Sequence, residues 1–135
     1  LVEAAIDYWR ACPNYGASFP AFVVGGNADR SVTLESADSS GDDACASFHR
    51  GTIRLFDWAV PAGRVPERCT TPAANLAHEL GHVLGLEDAR TDSACADRIM
   101  AAANSRRPRA VSSEECRLVG HRWLTRAEQR RAGGD

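Results

Sequence analysis

The sequence contains no lysine, and its sixteen basic residues, all arginine, are outnumbered by eighteen acidic residues, so the net charge is −2. A chain without excess positive charge lacks the electrostatic attraction that nucleic-acid binding requires, so we expect no nucleic-acid partner. The chain also lacks an apolar run near the roughly 20 residues that cross a bilayer. We therefore expect no membrane span and look for partners among soluble molecules.

The five cysteines include no Cys-x-x-Cys pair, so the sequence offers no cysteine zinc site. Cysteines without such a role are typical of disulfides formed in an oxidising compartment. We expect a secreted protein whose signal peptide has been removed. The 135 residues predict one domain over 1–135, and we expect a monomer.

The hydrophobic pattern predicts an α+β fold: a twisted mixed sheet backed by two helices, an irregular C-terminal part and a final helix. Within this one domain, we expect an upper subdomain over about 1–85 and a lower subdomain over about 86–135, with the cleft between them. The predicted elements are a helix over 2–11, strands over 21–26, 31–36, 45–49 and 52–60, a helix from Pro72 to about Leu84 capped by Thr71, a helical turn near 112–119, and a short last helix opened by a Thr125–Glu128 capping box. Arg50 and Gly51 would join the last two strands as a hairpin.

A metal-binding pattern lies on the second predicted helix, in the segment His-Glu-Leu-Gly-His at 78–82. His78 and His82 are four residues apart, so both imidazoles project from one helix face and can reach one ion. Two imidazoles at this spacing suit Zn²⁺, and Glu79 between them can act as general base for a water that the metal activates.

A third ligand follows the helix. Gly85 permits the left-handed conformation that ends a helix and turns the chain. Asp88 can then return a carboxylate to the metal, which completes the three protein ligands of a catalytic zinc site. The main rival is a third ligand from Glu114 or Glu115, but the Gly85–Asp88 spacing favours Asp88. His49 and His121 are more typical of surface or packing residues.

The segment from His78 to Asp88 resembles the metzincin metalloproteases, and with Asp as third ligand it looks most like the snapalysin family of small secreted proteases. The Cys-Ala-Asp-Arg-Ile-Met segment at 95–100 is similar to that family's cysteine followed by the methionine of the Met-turn. The resemblance implies that Met100 forms a hydrophobic floor beneath the zinc and that Cys95 and Cys116 form a disulfide. The metzincin fold begins with a strand, which we expect to be either absent from this chain or trimmed away.

These residues predict a zinc endopeptidase that hydrolyses peptide bonds in extended substrates, with His78, His82 and Asp88 as ligands and Glu79 as the base. A bound metal would polarise the carbonyl, while Glu79 would take a proton from water and pass it to the leaving amine. Two alternatives remain: a non-catalytic metal-binding module with the protease fold, and a zinc amidase acting on a non-peptide amide.

Three further predictions concern cysteines and calcium. With a mostly parallel sheet and an antiparallel strand at 45–49, Cys45 and Cys69 would lie at the same end of the sheet, within bonding reach. Cys12, at the end of the first helix, would lie at the opposite end and remain a free thiol. The acidic segment 37–43 offers carboxylates for Ca²⁺ but lacks the EF-hand spacing, which favours a solvated loop.

Overall fold

The computed structural model describes residues 1–25, 30–37, 46–56, 71–89, 98–101 and 109–133, and over 125–133 it describes the backbone alone. These residues form three helices and three strands. In chain order they are α1 (Val2–Arg10), β1 (Thr33–Ala37), β2 (Ala46–His49), β3 (Thr52–Phe56), α2 (Pro72–Val83) and α3 (Ser113–Gly133). The predicted α+β class is confirmed.

The three strands form a mixed sheet in the order β1-β3-β2. β1 runs parallel to β3, and β2 runs antiparallel to β3. Arg50 and Gly51 join β2 to β3 with φ angles of 49° and 81°. Positive φ at both positions is typical of the type I′ turn, whose twist matches that of the flanking strands. The hairpin and the antiparallel direction of β2 are as predicted.

Helix α2 packs against α1 and against strands β2 and β3. Its contacts with α1 include Trp9, which is fully buried and donates a hydrogen bond from Nε1 to the Ala77 carbonyl at 2.9 Å. On the sheet side, Ile53 and Leu55 of β3 are buried at alternating positions, as expected for a strand with one face in the core. α2 therefore lies in the middle of the core, which fixes its position firmly.

No helix among the residues that the structure describes combines the length and the apolar composition needed to cross a bilayer.

The predicted strand at 21–26 is wrong over its described part, because residues 21–25 form no strand. Val23 and Val24 are 69% and 57% exposed, and the Phe22 N–H donates to the Tyr15 hydroxyl instead of to a neighbouring strand. A short apolar run without alternation does not by itself specify a strand. Here residues 21–25 follow a local turn and pair with none of the described strands.

The C-terminal helix is longer than predicted. A turn near 112–119 and a separate helix from Thr125 were expected, but α3 is one helix of 21 residues. Its capping box is formed by Ser112 and Glu115: the Glu115 N–H donates to Ser112 Oγ at 3.1 Å, and the Ser112 N–H donates to Glu115 Oε1 at 2.8 Å. The same pattern at Thr125 lies inside the helix, where the backbone needs no cap.

The disulfide predictions for Cys12 and Cys116 are wrong. The structure joins Cys12 to Cys116, with 5.5 Å between their Cα atoms, so Cys12 is not a free thiol and Cys116 does not pair with Cys95. The turn after α1 lies against α3, where the Asn14 side-chain amide donates to the Cys116 carbonyl at 3.0 Å. Cys12 was predicted to be free because it was assumed to lie at the wrong end of the sheet. The strand directions behind that prediction agree with the structure.

Cys45, Cys69 and Cys95 lie outside the described residues, so the 45–69 pair remains a prediction. Peptide mapping under non-reducing conditions should recover one peptide pair linked through Cys12 and Cys116 and a second linked through Cys45 and Cys69. Cα atoms must approach within about 7 Å to be bridged, a condition that the first pair meets. Recovery of Cys116 linked to Cys95 would contradict the packing of α3 against the turn after α1.

Candidate metal site

Both ends of α2 are fixed by local sequence. At its start, Thr71 Oγ1 accepts a hydrogen bond from the Ala74 N–H at 3.3 Å, and Pro72 occupies the first turn. At its end, the Leu86 N–H donates to the Gly81 carbonyl and the Gly85 N–H to the His82 carbonyl, both at 3.0 Å. These two bonds form a Schellman motif, which requires the left-handed φ of 98° at Gly85. The turn directs the following residues back towards the helix.

His78, His82 and Asp88 meet at one point. Asp88 Oδ1 lies 3.0 Å from Nε2 of His78 and 3.0 Å from Nε2 of His82. The two Nε2 atoms are 3.2 Å apart. The Schellman turn thus brings the carboxylate back over the helix face that carries both imidazoles, as the Gly85–Asp88 spacing predicts.

Backbone carbonyls determine which imidazole nitrogens carry hydrogen. Nδ1 of His78 lies 2.8 Å from the Ile99 carbonyl oxygen, and Nδ1 of His82 lies 2.8 Å from the Leu86 carbonyl oxygen. A carbonyl oxygen can only accept, so both Nδ1 atoms donate. In the neutral imidazoles each Nε2 therefore keeps an unprotonated lone pair directed towards Asp88. Such outer hydrogen bonds are characteristic of histidines that bind metals.

Three electron-rich atoms thus lie about 3 Å from one another, which favours a cation between them. Burial lowers the pKa of His78; the Ile99 carbonyl partly opposes this, and the neighbouring His82 lowers the pKa further. A proton on His78 is therefore a poor source of positive charge for the cluster. The side chain of Asp88 is 55% exposed, so the cluster is open to solvent on the carboxylate side.

Glu79 lies next to this cluster. Ligand atoms of His78, Glu79 and His82 all lie within 4.8 Å of one another, and this group could hold a metal ion. Asp88 Oδ1 also lies close to both imidazoles, at 3.0 Å from each Nε2 atom. Burial raises the pKa of Glu79 to about 7; His82 lowers it and Asp88 raises it. A cation at the cluster would favour the ionised form.

The segment 98–101 supports His78 from below, and every backbone polar group of residues 99–101 has a partner. Besides the bond to His78, the Ile99 N–H donates to the Ala110 carbonyl at 2.9 Å. The remaining bonds join the Met100 N–H to Glu115 Oε2 at 2.8 Å, the Ala89 N–H to the Met100 carbonyl at 2.7 Å, the Ala101 N–H to the Arg98 carbonyl at 3.1 Å, and Arg109 Nη1 to the Ala101 carbonyl at 2.7 Å. This full set of bonds fixes the carbonyl that orients His78.

Met100 is fully buried against α2. Its sulfur occupies the space that a Cβ atom at Gly81 would fill, and Trp9 Cζ2 lies 3.0 Å from the same point. Gly81 directly precedes His82 on the helix. The absence of a side chain there lets the methionine pack against the helix backbone next to His82.

Gly81→Ala should therefore destabilise the protein. In an exposed helix, Gly to Ala stabilises by about 1 kcal/mol, but here the methyl group collides with Met100 and Trp9. Overpacking of a buried site costs about 1–3 kcal/mol. We expect a lower free energy of unfolding in urea and weaker zinc binding.

Ala73→Gly, in the first turn of α2, is the control that measures helix propensity alone. An increase in stability for Gly81→Ala would contradict the packing of Met100 against the helix.

The rival ligands lie elsewhere. Glu115 is buried, and its two oxygens accept from the Met100 and Ser112 N–H groups. Glu114 forms a 2.6 Å ion pair with Arg98. His49 ends β2 and His121 lies on α3, and neither belongs to the clustered ligand atoms among the described residues. Most of the acidic segment 37–43 lies outside the described residues. The preference for a solvated loop over a Ca²⁺ site therefore remains a prediction.

No protein-family model matches the chain, and neither the curated proteins nor the solved structures include a significant match. The interpretation of the site therefore rests on its own geometry and on the motif.

Proposed function

We propose that this chain is a secreted zinc-dependent endopeptidase of the snapalysin-like metzincin type. The observation that carries the proposal is the convergence of two imidazole Nε2 atoms and one carboxylate oxygen within 3.0–3.2 Å, with a buried carboxyl group beside them. All three atoms are of kinds that bind zinc, and together they could hold one ion. The Cys12–Cys116 disulfide is compatible with an extracellular protein.

Zinc fits the donor set. Two ligand atoms bound to one tetrahedral zinc at about 2.05 Å are about 3.3 Å apart. The three observed separations of 3.0, 3.0 and 3.2 Å lie within a few tenths of an ångström of that value. Imidazole nitrogen and carboxylate oxygen are both common zinc ligands, and three protein ligands leave a fourth position open for chemistry.

In the proposed mechanism, His78, His82 and Asp88 hold the metal, which when bound polarises the scissile carbonyl and acidifies water. Glu79 accepts a proton from the attacking water and then donates it to the nitrogen of the leaving amine. Its buried position beside the cluster suits both steps, because burial raises the pKa of Glu79 while a cation at the cluster would lower it. A group with a pKa near neutral can both accept and release a proton at physiological pH.

The substrate would bind along β2. Among the described strands β2 is at an edge of the sheet, paired only with β3, and it also contacts α2. An extended peptide can add to such an edge through main-chain hydrogen bonds. This mode would place the peptide next to the helix that carries the metal ligands and would favour extended polypeptides as substrates.

Casein hydrolysis by the purified chain tests the function. We expect cleavage at internal peptide bonds, loss of cleavage with a zinc chelator, and recovery on adding one equivalent of zinc. Zinc binding without cleavage of casein or of any model amide would favour the non-catalytic metal-binding module. Cleavage of a non-peptide amide without cleavage of casein would favour the amidase.

A further inference from the structure

One peptide unit links a buried glutamate to a predicted metal ligand. The N–H of the Ile99–Met100 peptide donates to Glu115 Oε2 at 2.8 Å, and its C=O oxygen lies 2.8 Å from Nδ1 of His78. A peptide unit is planar and rigid, so its two polar groups cannot move independently. Glu115, Ile99–Met100 and His78 therefore form one continuous hydrogen-bonded chain from α3 to the cluster.

We propose that Glu115 is a positioning residue for the metal site, which acts on His78 through the Ile99–Met100 peptide. The inference rests on the proposed zinc site and adds a residue to it that touches neither metal nor substrate. Glu115 is only 2% exposed and is held in place by two backbone N–H groups, those of Met100 and Ser112. A carboxylate at the start of α3 is also favoured by the helix dipole.

The physical effect has two parts. First, the carboxylate fixes the peptide in the orientation that directs the Ile99 carbonyl at His78, so that Nε2 faces Asp88. Second, an anionic acceptor on the N–H polarises the peptide and strengthens the hydrogen bond at its carbonyl end, because hydrogen bonds in a chain reinforce one another. A stronger bond at Nδ1 makes Nε2 a better electron donor. The arrangement resembles a carboxylate–histidine pair with one peptide inserted between the two groups.

Glu115 also caps α3, and Ser112→Ala separates that role from the proposed one. This change removes the Ser112 Oγ that accepts the Glu115 N–H, but leaves the Glu115 carboxylate and its bond to Met100 in place. Glu115→Gln removes the negative charge and leaves only one acceptor oxygen for two N–H donors. Glu115→Asp keeps the charge but shortens the side chain by one carbon atom. It serves as a second test if the Gln variant folds poorly.

Two measurements on each folded variant show whether Glu115 acts on His78 or only caps α3. The first is the ¹H and ¹⁵N resonance of the His78 Nδ1–H in the metal-free protein. The second is the zinc dissociation constant from competition with a chromophoric chelator. We expect both Glu115 variants to shift the proton resonance upfield and Glu115→Gln to weaken zinc binding about 10–100-fold, the usual cost of losing an outer partner of a ligand. Ser112→Ala should lower the Tm but leave both quantities unchanged.

If the Glu115 variants lower the Tm as Ser112→Ala does, and move neither the resonance nor the zinc affinity, Glu115 is a helix cap only and the inference is wrong. If the wild-type chain binds no zinc but the resonance still moves, the proposed function fails while the coupling between Glu115 and His78 stands. The metal-free resonance therefore tests the inference separately from the proposed function.

Discussion

Asp88→Ala should abolish hydrolysis. It should also weaken zinc binding by more than about 10–100-fold, the usual cost of losing a group that hydrogen-bonds to a metal ligand. Asp88 Oδ1 lies 3.0 Å from both imidazole Nε2 atoms and supplies the only negative charge in the predicted inner set. Two histidines alone leave the ion without its third protein ligand. Because the Asp88 side chain is 55% exposed, its truncation should have little effect on the Tm of the metal-free protein. The zinc dissociation constant and the rate of casein cleavage check this.

Glu87→Ala and Glu114→Ala are the controls. Glu87 is the exposed neighbour of Asp88, and Glu114 pairs with Arg98 at the start of α3. Both variants should keep zinc and activity. Glu115→Ala is unsuitable as a control, because the Glu115 carboxylate holds the Met100 backbone. Retention of zinc and activity in Asp88→Ala, with loss of both in Glu114→Ala, would favour the rival assignment of the third ligand.

Glu79→Gln should reduce kcat by roughly 10²–10⁴-fold, the usual contribution of a general base. The amide keeps the size of the side chain but cannot accept a proton. His78, His82 and Asp88 are unchanged, so zinc should remain bound. KM should change little, because the lost interaction belongs to the transition state. Steady-state kinetics on a fluorogenic peptide, with metal analysis of the same sample, measures both effects.

Glu87→Gln makes the same chemical change eight residues later, at an exposed position outside the cluster, and should leave kcat unchanged. Full activity in Glu79→Gln would show that another group accepts the proton and would overturn the mechanism. Loss of zinc together with activity would instead show that Glu79 is a ligand.

The part of the site that depends on local sequence could be predicted. Helical spacing places His78 and His82 on one face, and the glycine at 85 ends the helix so that Asp88 returns to it. The Arg50–Gly51 hairpin could also be predicted, because two strand-like runs flank these residues; the positive φ at both positions agrees with it. In each case a few consecutive residues determine the geometry, without help from distant parts of the chain.

The contacts that support the site could not be predicted in this way. The Ile99 and Leu86 carbonyls orient the two histidines, yet backbone carbonyls have no sequence signature. The Cys12–Cys116 disulfide depends on α3 packing against the turn after α1, which is a contact between residues 104 positions apart. For Glu115 the sequence did contain an indication, because Ser112 and Glu115 form the Ser-x-x-Glu pattern of a capping box. That pattern indicates the cap but not the second bond to Met100.

The zinc content of the native protein tests the central claim most directly. The chain should be purified without chelators or added metal, desalted, and analysed for metals by mass spectrometry alongside a measurement of protein concentration. The geometry of His78, His82 and Asp88 predicts one zinc per molecule, and the same preparation of Asp88→Ala should contain almost none. A zinc content near zero in wild-type protein that was never exposed to a chelator would contradict the account.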